Sequence, residues 1–248
     1  KVIGGKETAL FILKNKAGSE VAITNYGGAI CSIMVPDKNG NYANVIQGHD
    51  SIDNLLNSPE PFLSTLVGRY GNRICKGKFT IDGVEYNLAI NNGPNHLHGG
   101  PTGFHARVWD AEQTDAQTLK LHYLSADMEE GFPGNMKFTV KYTLKETAVE
   151  IEYFAVCDAD TVAGFTNHSY FNLNGATSGT TILNHILQVE ADGYCEVDSD
   201  ALPTGDMHPV KNTVFDYRKP ALLSERLGKG NPLLSPTNDG MDNNMVLW

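Results

Sequence analysis

Basic charge, closely paired cysteines, long apolar runs and helical periodicity are all scarce in this sequence, and each scarcity excludes a class of function. Lys and Arg number 19 against 29 Asp and Glu, giving a formal net charge of −10 and a pI near 5.2. The phosphate backbone of a nucleic acid and an anionic membrane surface both repel such a chain, so neither is an expected partner. No apolar run approaches the ~18 residues of a membrane-spanning helix. The four cysteines, Cys31, Cys75, Cys157 and Cys195, are spaced widely and irregularly, which speaks against a zinc site or a disulfide scaffold. Three of them fall in strand-like apolar stretches and read as buried free thiols. There is no Gly-x-Ser-x-Gly elbow and no dinucleotide fingerprint. The stretch from Gly71 to Lys78 has the wrong spacing for a phosphate loop and runs into Phe79 instead of Ser or Thr.

What is present is a chain of 248 residues, 41% apolar and 19% charged, long enough for a large core and ordinary for a folded protein. Its 25 glycines and recurrent asparagines favour turns over long helices. Period-2 alternation dominates. Leu119, Leu121 and Tyr123 alternate with polar residues, as do Phe138, Val140, Tyr142 and Leu144, and again Val149, Ile151 and Tyr153. Each run predicts a strand with one wet face, the mark of antiparallel sheet. Turn signals fall between the runs, and Asp82-Gly83 between Phe79–Ile81 and Val84–Tyr86 predicts a hairpin. Helix-like pieces are short, at 51–56 and 221–227. Many strands with few helices predict an all-β fold, a sandwich or barrel, in one domain.

Three segments are polar where a strand-rich core should be plain: 68–74, 95–100 and 166–173. If Thr166–Leu173 is one strand, His168, Tyr170 and Asn172 share a face, backed by Phe171 and Leu173 on the other. A histidine on such a wall suits acid or base work near neutral pH; a structural histidine bonded to a neighbouring strand is the plainer alternative. His96 and His98 share a face if extended. Their spacing is that of metal ligands, but Pro101 and Thr102 stand where a third, carboxylate ligand would be needed. Hydrogen bonding to a polar ligand is therefore the favoured use, and no metal is expected. Arg73 at a strand end offers a rigid fork of donors for hydroxyls or carboxylates, unless it only makes a surface ion pair. Asp242, in Gly240-Met241-Asp242, is uninformative alone. Asn167-His168-Ser169 fits a glycosylation sequon, but its place in a predicted strand argues against that use.

In order along the chain, Asn72-Arg73-Ile74, Leu97-His98-Gly99-Gly100, Thr166-Asn167-His168-Ser169-Tyr170-Phe171-Asn172-Leu173, Pro203-Thr204-Gly205, Phe215-Asp216 with Arg218-Lys219-Pro220, and Gly240-Met241-Asp242 resemble the aldose 1-epimerase (galactose mutarotase) family. The eight-residue string is the most specific of these, and the similarity spans essentially the whole chain. The resemblance implies a large antiparallel β-sandwich, the galactose mutarotase-like supersandwich, as a single domain over 1–248. It implies interconversion of the α and β anomers of free hexoses such as galactose and glucose, with no cofactor. In that chemistry a base takes the C1 hydroxyl proton while an acid protonates the ring oxygen; the ring opens, rotates about C1–C2 and closes on the other face. Position in the motif makes His168 the general acid and Asn72, Arg73, His98, Tyr170 and Asp242 substrate-binding residues. The expected partner is a monosaccharide, bound by a monomer or homodimer in the cytoplasm; a leader-cleaved periplasmic or secreted form stays open because the first residue is Lys.

The resemblance also implies a glutamate general base, well past the Gly-x-Asp segment, and the chain stops six residues after Asp242. The ending Met245-Val246-Leu247-Trp248 reads like a strand cut before its partner. The expectation is thus a C-terminally truncated domain without its base. The alternative is a naturally short, non-catalytic sugar-binding member of the fold. A relative acting on a sugar phosphate is disfavoured by the acidic balance.

Overall fold

Strict alternation in Met136–Leu144 places Met136, Phe138, Val140, Tyr142 and Leu144 on one buried face and leaves the intervening residues wetter. This strand lies inside an antiparallel meander of Asp110–Asp115, Thr118–Ser125, Met136–Leu144 and Val149–Cys157. A second four-stranded antiparallel meander comprises Leu10–Lys14, Glu20–Thr24, Ile30–Pro36 and Tyr42–Asn44. Leu13, Val21, Ile23, Ile30 and Ile33 from that sheet share one apolar cluster with Leu119, Leu121, Phe138, Val140 and Tyr142 from the first, around Phe104 and Trp109. Sheet on sheet with interleaved side chains is a β-sandwich. The buried Tyr142 hydroxyl donates to the Gly28 carbonyl at 2.8 Å, so its polar end is satisfied inside the core.

These coordinates are a computed structural model that describes residues 1–248 other than Lys229, Asn238 and Trp248, and of Ser235 only the backbone. The chain divides into two compact units, 1–178 and 179–248. In the second, Ala191–Val197 is the middle strand of three, between Pro203–Pro209 and Met245–Leu247. Its core is Tyr194, Val210, Phe215 and Leu234.

The hairpin at Asp82-Gly83 forms with Ile81 opposite Val84, and its two turn residues have φ of 49° and 80°, the left-handed pair that a two-residue turn requires. Ile52–Leu56 is a short α-helix capped by Ser51, whose side chain accepts from the Asn54 N–H. Two expectations need correction. The 221–227 segment is not helical throughout: Ala221–Leu222 pairs with Ile186–Leu187, and Leu223–Glu225 makes one 3₁₀ turn. Met245–Leu247 does have a strand partner, Ala191–Val197; Trp248 lies outside the described residues. Within Val149–Cys157, Phe154 and Val156 face outward, 54% and 73% exposed, so that strand is apolar on both faces near its end. Of the thiols, Cys31, Cys157 and Cys195 are half-buried and Cys75 is exposed, all unbridged.

Candidate active site

Thr166–Leu173 is not one strand. Thr166–Asn167 pairs with Leu66–Val67, and Tyr170–Phe171 pairs with a different strand, Ile46–Gln47. The break falls at His168 and Ser169. There the His168 N–H donates to the Thr65 carbonyl and the His168 carbonyl accepts from the Ser64 N–H, both at 2.9 Å. The simple alternation therefore fails downstream: Asn172 is buried, while Phe171 and Leu173 are 51% and 70% exposed. Asn172 is drawn inward because its N–H donates to the Val45 carbonyl and its Oδ1 accepts from the Asn174 N–H. His168 and Tyr170 do stay together, with ring centroids 5.1 Å apart.

His98 meets them from the second polar segment. Its ring stands edge-on to that of His168, centroids 5.0 Å apart at 80°, and also packs on Phe62. The chain leaves extended geometry at His98, whose φ is 54°, so His96 and His98 do not follow the alternation of a strand. His96 is fully buried, with Nδ1 at 2.8 Å from the Ala89 carbonyl and its ring against Phe132. His98 instead accepts the Asn72 N–H on Nδ1 at 2.9 Å, and its own N–H returns to the Asn72 carbonyl. A backbone N–H only donates, so Nδ1 carries the lone pair and the ring proton sits on Nε2. Burial, with His168 and Arg73 nearby, pulls His98 down to about 3. Near neutral pH it is a fixed, uncharged donor.

Asn72, with φ of 68°, is the other left-handed residue of the contact. Its Oδ1 accepts from the Arg73 N–H at 2.8 Å and from Arg73 Nη1 at 3.3 Å, while Arg73 Nε donates to Asn92 Oδ1 at 3.0 Å. The guanidinium is thereby oriented by two amides and keeps its charge uncompensated by them. Non-glycine residues at positive φ cost energy and gather where geometry serves function.

The fold thus brings Asn72, Arg73, His98, His168 and Tyr170 into one chain of contacts in the first unit. Asp242 belongs to the second unit, exposed ahead of Met245–Leu247. Residues that sequence reasoning missed are Phe62, Asn92 and His105. The His105 ring lies 4.5 Å from that of Phe62, and burial, aided by Arg107, lowers it to about 4. The Asn-rich turn at 91–95 was the available signal: Asn91 brackets Leu97 through both its N–H and carbonyl, and Asn95 accepts from the Lys76 N–H. Among the described residues no group of three or more His, Cys, Asp or Glu is placed to share a metal ion, and no helix is long and apolar enough to cross a membrane.

The model of the aldose 1-epimerase family matches residues 9–248. Galactose mutarotase of Bos taurus is 41% identical over 207 residues, which cover 84% of this chain and 60% of that protein. Aldose 1-epimerase of Escherichia coli K12 is 36% identical over 222 residues, covering 89% of this chain and 63% of that one. The chain therefore spans somewhat under two thirds of these relatives' length. Among solved structures, an aldose epimerase homologue from C. elegans superposes with a TM-score of 0.88 at 32% identity, covering 98% of this chain and 72% of that one. Galactose 1-epimerase from Lactobacillus acidophilus NCFM also gives 0.88, at 29% identity, covering all of this chain and 72% of its own. The chain belongs to the aldose 1-epimerase family, and the sandwich is that family's fold.

Proposed function

We propose that this member of the aldose 1-epimerase family interconverts the α and β anomers of free hexoses, galactose and glucose, by acid–base opening and closing of the pyranose ring. The observation that carries the reading is the edge contact of His168 with His98. A ring fixed as an uncharged Nε2–H donor stands edge-on against a second imidazole, the side chain best suited to move a proton near neutral pH. We assign His168 the proton delivered to the ring oxygen. His98 Nε2–H and the Arg73 fork donate to sugar oxygens, with Asn72 and Tyr170 as further contacts. Uncharged hydroxyls suit this set, because the acceptors of a sugar need donors of fixed direction rather than counter-charge.

Deprotonating the C1 hydroxyl needs a base, and none of Asn72, Arg73, His98, His168 and Tyr170 is a carboxylate. We assign the base to none of them. The protein works, in this reading, as one mutarotase-like domain in the cytoplasm, as monomer or homodimer. The test is polarimetry of freshly dissolved α-D-galactose with the whole protein, paired with equilibrium binding of galactose. Relaxation faster than the buffer blank, in proportion to protein, is expected. Relaxation at the blank rate with sugar binding intact would overturn the enzyme reading in favour of a sugar-binding member of the fold.

A further inference from the structure

The loops bearing Arg73 and His98 touch backbone to backbone. A Cβ on Gly99 would fall 1.8 Å from the Gly68 carbonyl oxygen, and one on Gly103 would fall 2.8 Å from the same atom. The Phe104 N–H donates to that carbonyl as well. The same loops pair as a short antiparallel ladder, Ile74 opposite His96 and Arg73 opposite Leu97, and the Asn72–His98 contact lies just beyond its end.

The connection between the strands Thr118–Ser125 and Met136–Leu144 grips both loops. Arg69, three residues before Asn72, is 2% exposed. Its Nε donates to Ser125 Oγ at 2.9 Å, Nη1 to the Pro133 carbonyl at 2.8 Å, and Nη2 to the carbonyls of Ser125, Ala126 and Gly134 at 3.0, 2.8 and 2.7 Å. Glu129 braces the same connection, accepting from Tyr123 Oη at 2.6 Å and Ser125 Oγ at 2.8 Å. Glu130 reaches the other loop: it accepts the Thr102 hydroxyl, and its Oε2 fills the space where a Cβ on Gly100 would sit. Met128 and Glu130 are both left-handed, with φ of 61° and 52°, a conformation that non-glycine residues adopt at a cost. No sugar contact is assigned to this connection, yet it is tied to the loops on either side of the Asn72–His98 pair.

We propose that Arg69 and Glu130 are positioning residues: through the 125–134 connection they hold the Arg73 and His98 loops in the register that lets Asn72 N–H fix the His98 tautomer. The proposal rests on the sugar-site reading for its consequence in catalysis, but not for its geometry. Arg69 does this because its planar fork reaches five acceptors in three directions, one from Nε, one from Nη1 and three shared by the two hydrogens of Nη2; a lysine ammonium has three donors at one point and leaves acceptors unmet. Glu130 does it from a half-buried site, so its removal need not unfold the protein.

The test is the ¹⁵N signature of the histidine rings in the unsubstituted protein and in Arg69→Lys, Glu130→Ala and Glu130→Gln, beside the rate of anomer exchange. The unsubstituted His98 ring is expected as a single Nε2–H tautomer. In Glu130→Ala and Arg69→Lys it should average between tautomers, and kcat should fall by about 10²-fold, the cost of an ångström of misplacement. Glu130→Gln, which still accepts from Thr102, should recover most of the loss. If Arg69→Lys fails to fold, Glu130→Ala carries the test. A single unshifted Nε2–H tautomer in folded Glu130→Ala would overturn the proposal. Exchange at the blank rate in the unsubstituted protein would overturn the sugar reading, while the ring signals would still decide the clamp.

Discussion

The strands of the Thr118–Cys157 meander and the Thr166–Leu173 segment both read as extended chain in sequence, and they fold by different rules. In the meander, register is continuous from Thr118 opposite Thr143 to Ser125 opposite Met136, and a single buried face enforces it. In Thr166–Leu173 the pairing changes partner at His168, and burial no longer follows parity. The first region spends its side chains on packing. The second gives up continuous pairing and holds an imidazole between His98 and Tyr170. Regular alternation marks where stability resides in this protein, and its interruption marks the candidate chemistry.

Substitutions should separate the two regions. Phe138→Ala, in the centre of the meander among Phe104, Trp109 and Phe165, is expected to cost about 3–5 kcal/mol, read by urea unfolding, with ligand affinity little changed in the folded fraction. A smaller stability loss than the site variants suffer would break the comparison. Gly99→Ala should act the other way. The Gly68 carbonyl forbids the added methyl, and φ is 83°, so the loop must shift at a cost of about 1–3 kcal/mol; galactose affinity should weaken while the meander's amide exchange stays unchanged.

Acid should reach the site first. His98 and His105 are lowered to about 3 and about 4 from an unfolded value of 6.5. Below 6.5 the unfolded chain binds protons that the folded rings refuse. Stability contributed by these rings is therefore complete above that pH and is lost as pH falls toward 4. Unfolding curves between pH 7 and 4 check this, and replacing His105 by Gln should flatten them. The smallest effect is expected at Val156, outward-facing and 73% exposed: Val156→Thr should stay within about 0.5 kcal/mol of the parent in the same assay.

How much of this was legible beforehand follows the same division. The meander strands, the Asp82-Gly83 hairpin and the Ser51-capped helix all follow from local pattern, because each is fixed by neighbours in sequence. The site residues of the first unit were legible as residue types within polar segments. Their geometry was not. Nothing local predicts that His98 turns left-handed to accept from Asn72, a residue 26 positions away. Nor does any local signal predict that Asn172 turns inward while Phe171 faces out. Phe62 and His105 were invisible because ring packing across loops leaves no periodic trace.

In the proposed reaction His168 acts on protons and does not merely hold sugar. The direct measurement is anomer exchange and galactose affinity, side by side, in the whole protein and in His168→Ala, with both shown to be folded. A rate lower by about 10²–10⁴-fold is expected in His168→Ala, with affinity changed far less. Equal losses in rate and affinity, or an undiminished rate, would contradict it.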